Sequence, residues 1–283
     1  MYEPPATPEP RAAAVVYRHA LPVRIWHWIN AFCVILLVMS GLMIFNTAPY
    51  LAWGEEGHLQ MPSWLSVQTS ALDTSEPQST LHVGSWQFDT SGLLGVPHQT
   101  RWGFLPFAVP PWLTFPPSFD LGLARAWHFL FAWIFVINLA VYGSFGLFNG
   151  HFHRNFVPRR EQLRPRSVLA DIWKHVRLHR ARGEEARHYN LLQRLSYLAI
   201  VFVFIPTQVL SGLTMANGVT AAFPWLFSLF GGRQSARSIH FLCAALLLLF
   251  LFIHVFQVFV AGARNEIRSM ITGRFHIEKD GIR

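Results

Sequence analysis

Four apolar segments constrain this chain more than any other feature of its sequence. Each is 21 to 26 residues long and contains no Asp, Glu, Lys or Arg. The hydrocarbon core of a bilayer, roughly 30 Å thick, is crossed by about 20 apolar helical residues. The sequence therefore predicts an all-α membrane protein, a four-transmembrane-helix bundle, with spans at 25–45, 126–148, 195–216 and 238–263.

The composition supports this fold class. Of the 283 residues, 52% are hydrophobic and 13% are charged, whereas a soluble domain carries about 25% charged residues. Cys33 and Cys243 both lie in spans, so we expect small core residues rather than a disulfide or a zinc site. The third span contains Pro206 and Gln208. We expect a kink there, with a neighbouring helix satisfying the freed carbonyl.

The charges of the connecting segments predict the orientation. The loop 46–122 has six acidic residues against Arg101 alone. The loop 149–189 and the tail 264–283 are basic, with these Lys and Arg residues: Arg154, Arg159, Arg160, Arg164, Arg166, Lys174, Arg177, Arg180, Arg182, Arg187, Arg264, Arg268, Arg274, Lys279 and Arg283. Basic loops stay in the cytoplasm. Loop 149–189 and both termini are therefore predicted to be cytoplasmic, and loop 46–122 periplasmic.

This orientation predicts a multi-pass protein of the bacterial inner (plasma) membrane. Residues 1–22 are rich in Pro and Ala, with no apolar core and no cleavage site. We expect a short disordered cytoplasmic tail there rather than a signal peptide. The four-helix domain is predicted at 23–263, followed by a cytoplasmic tail at 264–283. The net charge of +8 is concentrated in loops, which indicates topology and contact with lipid and gives no support for nucleic acid as a partner.

Four of the fourteen histidines lie inside the spans, namely His27, His128, His240 and His254. Ionisable groups inside a membrane are costly, so a functional role is the default hypothesis. His240 and His254 are 14 residues apart on one span. Fourteen residues span about 21 Å along a helix, and the rotation over 14 residues brings the second side chain to within about 40° of the face of the first. One helix thus presents two imidazoles to the bundle, one near each membrane surface.

The predicted orientation sorts these histidines into two pairs by depth. His128 and His240 come together at the outer level, and His27 and His254 at the inner level. Two imidazoles on facing helices, without carboxylate or thiolate nearby, suit a bis-His haem iron. The chain has no Cys-x-x-Cys-His sequence, so haem would be held without thioether links. We therefore predict two non-covalent haem b groups.

An arginine precedes three of these histidines by three residues. The arginines are Arg24, Arg125 and Arg237. Residues i and i+3 share a helix face, so each arginine lies one turn nearer the surface. Arginine pairs well with carboxylates, which predicts contacts with haem propionates. Gly41 is expected at the outer haem level, where it would leave room for the macrocycle; close packing of small residues is the alternative.

The chain also has the pattern of a duplicated helical hairpin. Residues 124–130 match 236–242, and residues 38–42 match 209–213. Gly212 then corresponds to Gly41. Each hairpin contributes two of the four histidines, as two six-coordinate haems require.

The loop 46–122 is long for a bundle connection and rich in tryptophan. It contains Trp53, Trp64, Trp86, Trp102 and Trp112. One interpretation is a belt of aromatic side chains at the membrane interface. The other is a platform for a soluble periplasmic partner.

At these residues the sequence resembles the di-haem cytochrome b subunit family of nickel–iron hydrogenases, formate dehydrogenases and thiosulfate reductases. The matching runs are 24–29, continuing to 40–41, and 237–254. Ser40 stands where the family usually has threonine, Phe241 where it has a basic residue, and Ala245 where it has tryptophan. The resemblance implies that the four histidines are haem ligands. It also implies electron transfer between a periplasmic oxidoreductase, hydrogenase-like or a molybdenum enzyme, and the quinone pool of a respiratory chain.

We therefore expect an electron-transfer subunit rather than a stand-alone catalyst, with no catalytic residues of its own. Candidates for contact with quinone are His19, His188, Tyr189, Asn190 and Gln193. One alternative is a stand-alone cytochrome b that oxidises superoxide or reduces a metal ion at its outer haem. A haem-free transporter or anchor is disfavoured by the four paired histidines and by spans without carboxylates.

Overall fold

The computed structural model describes residues 14–55, 57, 61–70, 77–100, 103–150, 152, 157–158, 162–177 and 191–277. The chain forms two compact units. Unit 1 comprises Met1–Ile25, Leu147–Leu198 and Leu251–Arg283, and unit 2 comprises Trp26–Gly146 and Ala199–Phe250.

The helices are α1 (Leu21–Thr47), α2 (Leu121–Phe148), α3 (Pro165–Val176), α4 (Leu191–Ala199), α5 (Ile205–Thr214), α6 (Asn217–Ala222), α7 (Trp225–Phe230) and α8 (Arg233–Thr272). The strands are β1 (Ala14–Tyr17), β2 (Tyr50–Ala52), β3 (Ser63–Ser70), β4 (Gln78–Val83), β5 (Trp86–Asp89), β6 (Val96–Thr100), β7 (Gly103–Phe107) and β8 (Arg274–Ile277).

Among the residues that the structure describes, four helical segments are long and apolar enough to cross a membrane, as predicted. They are Leu21–Thr47, Leu121–Phe148, Leu191–Thr214 and Arg233–Thr272. Each begins four or five residues before the apolar run that predicted it. Large apolar side chains on these helices point outward, and Phe148 is 90% exposed. Such surfaces are expected where lipid replaces water as the solvent of a helix.

The third span is irregular at the position expected from Pro206. Between α4 and α5 the chain forms a π-helical turn, Ile200–Phe204, and the N–H of Ile205 bonds to the carbonyl of Ile200. Proline has no N–H to donate, and its ring crowds the preceding turn. A wider π-turn before Pro206 accommodates both effects. The thiol of Cys243 on α8 donates to the carbonyl of Phe204 at 3.1 Å. Pro206 lacks the N–H that would bond to the carbonyl of Phe202, and a donor from a neighbouring helix to that carbonyl stays a prediction.

Helix α8 is interrupted at Gly262, close to the predicted end of the fourth span. The backbone there has φ 112° and ψ 79°, a conformation that glycine adopts without a steric penalty. The chain is helical again up to Thr272 and then forms β8, which pairs antiparallel with β1. Arg18 and Glu266, both in unit 1, form an ion pair at 3.3 Å. The expectation of a disordered N-terminal tail is therefore wrong for Ala14–Tyr17.

The segment 46–122, expected to be a loop, contains six strands in its described part. Strands β2, β3, β4 and β5 form an antiparallel sheet in that order, and β6 pairs with β7. A two-residue turn at 84–85 joins β4 to β5, and Gly84 has φ 60°, as such hairpin turns require. The sheet lies against the helices of unit 2, where Phe45, Leu51, Val67 and Ala108 form a buried cluster against which Phe241 packs.

Polar contacts attach this sheet to the first turns of α8. The indole N–H of Trp64 donates to Ser238 Oγ at 3.0 Å, and Ser238 Oγ donates to the carbonyl of Ala52 at 2.6 Å. The backbone N–H of Gly54 donates to Ser235 Oγ at 2.8 Å. We call the end of the unit 2 helices at Thr47, Leu121 and Arg233 the sheet end.

A second apolar cluster lies between the helices of unit 2. Its buried members are Cys33, Phe131, Phe135 and Ile205, with Leu247 of α8 packed against them. Both cysteines, which are among the described residues, are buried and form no disulfide. They are core residues, as expected.

Candidate haem site

His128 and His240 lie side by side near the sheet end of unit 2. Each is seven residues beyond the first residue of its helix, Leu121 for α2 and Arg233 for α8. Their ring centroids are 6.3 Å apart, and the ring planes make an angle of 62°. The structure thus brings together the two histidines predicted as the outer pair.

This spacing suits two ligands of one metal. Because a metal–imidazole bond is roughly 2 Å long and a ring nitrogen lies roughly 1 Å from the ring centre, two imidazoles that share a metal have centroids roughly 6 Å apart. Within the described parts of the chain, no three His, Cys, Asp or Glu side chains gather as ligands. Two imidazoles alone are the donor set of a bis-His haem, in which the macrocycle supplies the other ligands.

A serine of the preceding helix contacts Nδ1 of each histidine. Ser40 Oγ is 3.0 Å from Nδ1 of His128, and Ser211 Oγ is 3.1 Å from Nδ1 of His240. Each serine hydroxyl donates to a carbonyl one turn earlier, that of Leu36 at 2.6 Å and that of Thr207 at 2.7 Å. A hydroxyl has one proton, so both serine oxygens accept a hydrogen bond from the imidazole.

A backbone carbonyl supports this proton placement for His240, because Nδ1 of its ring lies 3.0 Å from the carbonyl of Gln208. A carbonyl only accepts, so Nδ1 of His240 carries the proton. The matching serine contact gives His128 the same tautomer. The lone pair of each neutral imidazole is then on Nε2, the nitrogen that can bind a metal. On His240 this nitrogen lies 2.9 Å from the side-chain amide nitrogen of Gln208, which a bound metal would displace. Metal-bound histidines are oriented in this way, by a hydrogen bond from the other ring nitrogen.

Two glycines let the imidazoles approach the backbones of the neighbouring helices. A Cβ on Gly41 would lie 3.4 Å from Cε1 of His128, and a Cβ on Gly212 would lie 3.2 Å from Cε1 of His240. The neighbour that the structure gives Gly41 is therefore the imidazole, whereas the sequence suggested the macrocycle. A Cβ at Gly212 would require the ring of His240 to shift by a few tenths of an ångström.

The contacts of the two hairpins correspond residue by residue. In the alignment of 38–42 with 209–213, Ser40 matches Ser211 and Gly41 matches Gly212. Each Ser-Gly pair contacts the histidine of its own hairpin. The glycines were predicted from the sequence, whereas the serines were not recognised as partners of the histidines. The recurrence of Ser-Gly at the same place in both hairpins was the signal that could have identified them.

The three arginines have different surroundings. Arg237 is half-buried; its guanidinium donates to the carbonyl of Ala48 and lies 5.4 Å from the centre of the Tyr50 ring. Arg125 is exposed, 5.8 Å above the ring of Phe129. Pairing of these arginines with propionates stays a prediction.

Arg24 belongs to unit 1, whereas His128 and His240 belong to unit 2. Its guanidinium donates to the carbonyl of Ile271, near the end of α8. A cation at a helix C-terminus is favourable, because carbonyls there lack helical partners.

His27 and His254 lie on α1 and α8, and both are half-buried. They belong to units 2 and 1, respectively, and their pairing stays a prediction. Near His27 in unit 2, the ring of Trp26 stacks on Tyr142 with centroids 4.0 Å apart. In the duplication, Tyr142 occupies the place of His254.

Residues 18–273 match the prokaryotic cytochrome b561 family. The chain belongs to this family. The match contains all four long helices, the inserted sheet and the four spanning histidines. Membership of the cytochrome b561 family implies a b-type haem, and the tautomers and spacing of His128 and His240 fit that group.

Individual relatives agree with this assignment. The chain is 27% identical over 251 residues to a putative protein-methionine-sulfoxide reductase subunit YedZ1 of Azospira oryzae, covering 89% of this chain and 93% of the relative. It is 20% identical over 275 residues to a probable Ni/Fe-hydrogenase B-type cytochrome subunit of Cupriavidus necator, covering 93% and 88%. A protein of the same description from Rhodobacter capsulatus is 40% identical over 45 residues, 16% of this chain and 17% of the relative. No solved structure matches the chain. The predicted resemblance to hydrogenase cytochrome b subunits is confirmed.

The tryptophans of this cytochrome b561-family chain fall into two groups. Trp64 is bonded to Ser238 and stacks with Trp53 at 6.0 Å, so it helps to hold the sheet on α8. Trp86 and Trp112 are 69% and 75% exposed. Trp102 lies outside the described residues.

The quinone candidates are described only in part. His19 is buried and Gln193 is half-buried, both in unit 1. His188, Tyr189 and Asn190 lie outside the described residues. Their contact with quinone stays a prediction.

Proposed function

We propose that this chain is a membrane-embedded di-haem b-type cytochrome that transfers electrons between an oxidoreductase partner at the outer face and the quinone pool of a respiratory chain. The observation that carries the proposal is the juxtaposition of His128 and His240, with Nδ1 of each imidazole donating to a serine of the preceding helix. Family membership supports haem b as the group held there.

His128 and His240 hold one haem in this proposal, and His27 and His254 hold the second. When bound, haem iron supplies a one-electron change between its ferrous and ferric states. The chain provides axial nitrogens, orients them through Nδ1, and surrounds the pair with apolar helices. The separation of 14 residues between His240 and His254 supports a haem level near each surface of the membrane.

The sheet end faces outward in this proposal, with both termini in the cytoplasm of a bacterial inner membrane. Loop 46–122 has a net charge of −5, from six acidic residues and Arg101, whereas loop 149–189 carries ten Lys and Arg. This asymmetry is the basis of the assignment. The haem of His128 and His240 is then the one nearer the partner.

A soluble oxidoreductase is the proposed partner. The relatives are named as subunits of a protein-methionine-sulfoxide reductase and of Ni/Fe hydrogenases, so a molybdenum-containing or hydrogenase-like enzyme fits the role. The exposed Trp86 and Trp112 are the aromatic side chains in the described part of loop 46–122 that are most available to it. Quinone would exchange electrons at the opposite, inner level.

The proposal is tested by a reduced-minus-oxidised absorption spectrum of the purified full-length protein, with haem measured per chain. We expect a b-type spectrum and two haems. The His128→Ala/His240→Ala double variant is the matched control and should retain one haem. A wild-type protein with one haem would leave a single histidine pair in use, and a protein without haem would overturn the proposal.

A further inference from the structure

A cavity of about 500 Å³ opens at the sheet end of unit 2, beside the first turn of α8. Its lining combines two opposite charges, an amide and an aromatic ring, from Glu55, Gly57, Phe227, Arg233 and Gln234. This volume is within the range of about 300–1,000 Å³ that holds small-molecule ligands. None of these residues is a candidate contact of the haem.

Backbone hydrogen bonds hold the wall of the cavity in place. The N–H groups of Gln234 and Ser235 donate to the carbonyl of Gly54 at 3.0 and 3.2 Å, and the N–H of Gly54 donates to Ser235 Oγ at 2.8 Å. Glu55 follows Gly54 directly, and its side chain is exposed. A Cβ on Gly57 would collide with Nε2 of Gln234, so glycine at this position makes room for the amide.

The polar groups of the cavity are available to a ligand. In the described part of the chain, no ion pair forms between Glu55 and Arg233, although both line the cavity. The guanidinium of Arg233 instead lies 5.5 Å from the centre of the Phe227 ring, and this contact leaves its N–H donors for another partner. Oε1 of Gln234 is buried and accepts no hydrogen bond from the described residues. Burial of an amide oxygen without a donor is costly, so a ligand with N–H or O–H donors fits this wall.

The short helix α7 beside the cavity has an exposed apolar stripe. Trp225 and Leu229, four residues apart on α7, are both exposed, whereas Phe227 between them lines the cavity. The N–H of Gly232 donates to the carbonyl of Phe227 at 2.9 Å, which holds α7 next to the start of α8. Tryptophan is typical of the membrane–water interface at the end of a span. A headgroup in the cavity would therefore have apolar surface beside it for acyl chains.

We propose that this cavity binds the headgroup of phosphatidylethanolamine, a phospholipid that carries a phosphate and a primary ammonium. Arg233 pairs with the phosphate, because guanidinium N–H donors match phosphate oxygens. An ammonium has three N–H donors, which Glu55 and Oε1 of Gln234 accept. A choline headgroup has no N–H donor, and a glycerol headgroup has no positive charge to face Glu55. The inference rests on the proposed function only in placing the cavity at the outer surface of the membrane.

The test is native mass spectrometry of the delipidated full-length protein, titrated with phosphatidylethanolamine, phosphatidylcholine and phosphatidylglycerol of identical acyl chains. We expect one phosphatidylethanolamine to bind about tenfold more tightly than either other lipid, since a hydrogen bond to a charged group contributes about that factor. Arg233→Gln should weaken this binding about tenfold for the same reason. Equal affinities of the wild-type protein for the three lipids would overturn the inference.

Glu55→Lys is the variant that should reverse the selectivity. It replaces the acceptor of the ammonium with a cation, so phosphatidylethanolamine should lose its advantage to the anionic phosphatidylglycerol. Asp89→Asn on β5 is the matched control, because it removes an acidic residue of the same loop outside the cavity and should leave the preference unchanged. A preference for phosphatidylethanolamine that survives Glu55→Lys contradicts the inference.

Circular dichroism checks the helix content of each variant independently of haem. If Glu55→Lys did not fold, Glu55→Gln would decide, with a reduced preference supporting the inference and a full one overturning it. Free phosphoethanolamine that bound as tightly as the lipid would make the ligand a soluble zwitterion and would overturn the lipid assignment. Absence of haem from the wild-type protein would refute the proposed function, whereas the lipid selectivity is decided by the titration alone.

Discussion

Ser211 on α5 accepts a hydrogen bond from Nδ1 of His240 on α8 at 3.1 Å, while its own hydroxyl donates to the carbonyl of Thr207 at 2.7 Å. Ser40 and His128 repeat this relationship in the first hairpin at 3.0 Å. The two serines determine the tautomer of both imidazoles and direct their Nε2 atoms away from these bonds. Two copies of one local arrangement therefore position the two imidazoles that we propose as ligands of one iron.

Replacement of single spanning histidines should distinguish the two proposed haem sites. His128→Ala or His240→Ala should remove one haem and leave the other largely intact, because each pair is complete only with both axial ligands. His254→Ala should remove the other haem. The measurement is haem per chain together with the redox titration of whatever remains. Retention of both haems in each single variant would contradict the pairing by depth.

Loss of a serine hydroxyl should weaken the orientation of its histidine. Ser40→Ala removes an acceptor from Nδ1 of His128, and such partners of metal-bound histidines change metal affinity by about 10–100-fold. Ser40→Thr is the control, because it keeps the hydroxyl and restores the residue usual in the resembling family. Haem binding is measured by titration of haem into the apoprotein. Equal affinities for Ser40→Ala and Ser40→Thr would show that the hydroxyl has no part in binding.

The features of this fold that depend on local pattern were predictable from the sequence. The spans were predictable because a charge-free apolar run has one stable solution in a membrane. The pairing of His128 with His240 was predictable from depth. The serines were missed because a serine in a membrane helix commonly bonds a carbonyl of its own helix, and the second contact exists only once the neighbouring helix is in place.

The sheet was missed for a related reason. Its strands are three to eight residues long, and their tryptophans and prolines also suit a membrane interface. What stabilises the sheet is its attachment to distant helices, such as the bond from Trp64 to Ser238 on α8. The pairing of β1 with β8 likewise joins residues more than 250 positions apart, which no local pattern indicates.

A side chain at Gly212 should disturb the haem site. A Cβ there would come within 3.2 Å of His240 Cε1, whereas a Cβ at Gly143 on α2 would meet nothing within 4 Å. Gly212→Val should therefore lose the haem of the His128–His240 pair, and Gly143→Ala should keep both haems and gain slight helix stability. Haem per chain and the thermal midpoint of each variant check this. Full haem content in Gly212→Val would mean that the imidazole of His240 can move away from the new side chain without losing the haem.

Replacement of Arg237 should affect the same haem. Arg237 lies one turn before His240 on α8, and its guanidinium is held by the carbonyl of Ala48 and the ring of Tyr50. A cation near the haem edge can pair with a propionate, so Arg237→Ala should shift the potential or the occupancy of that haem. Arg233→Ala, one turn earlier and beside Phe227, is the control for loss of positive charge at the helix start. A redox titration of both variants distinguishes the roles. If neither potential nor occupancy changes in Arg237→Ala, or if both variants change equally, Arg237 serves only to hold the sheet end to α8.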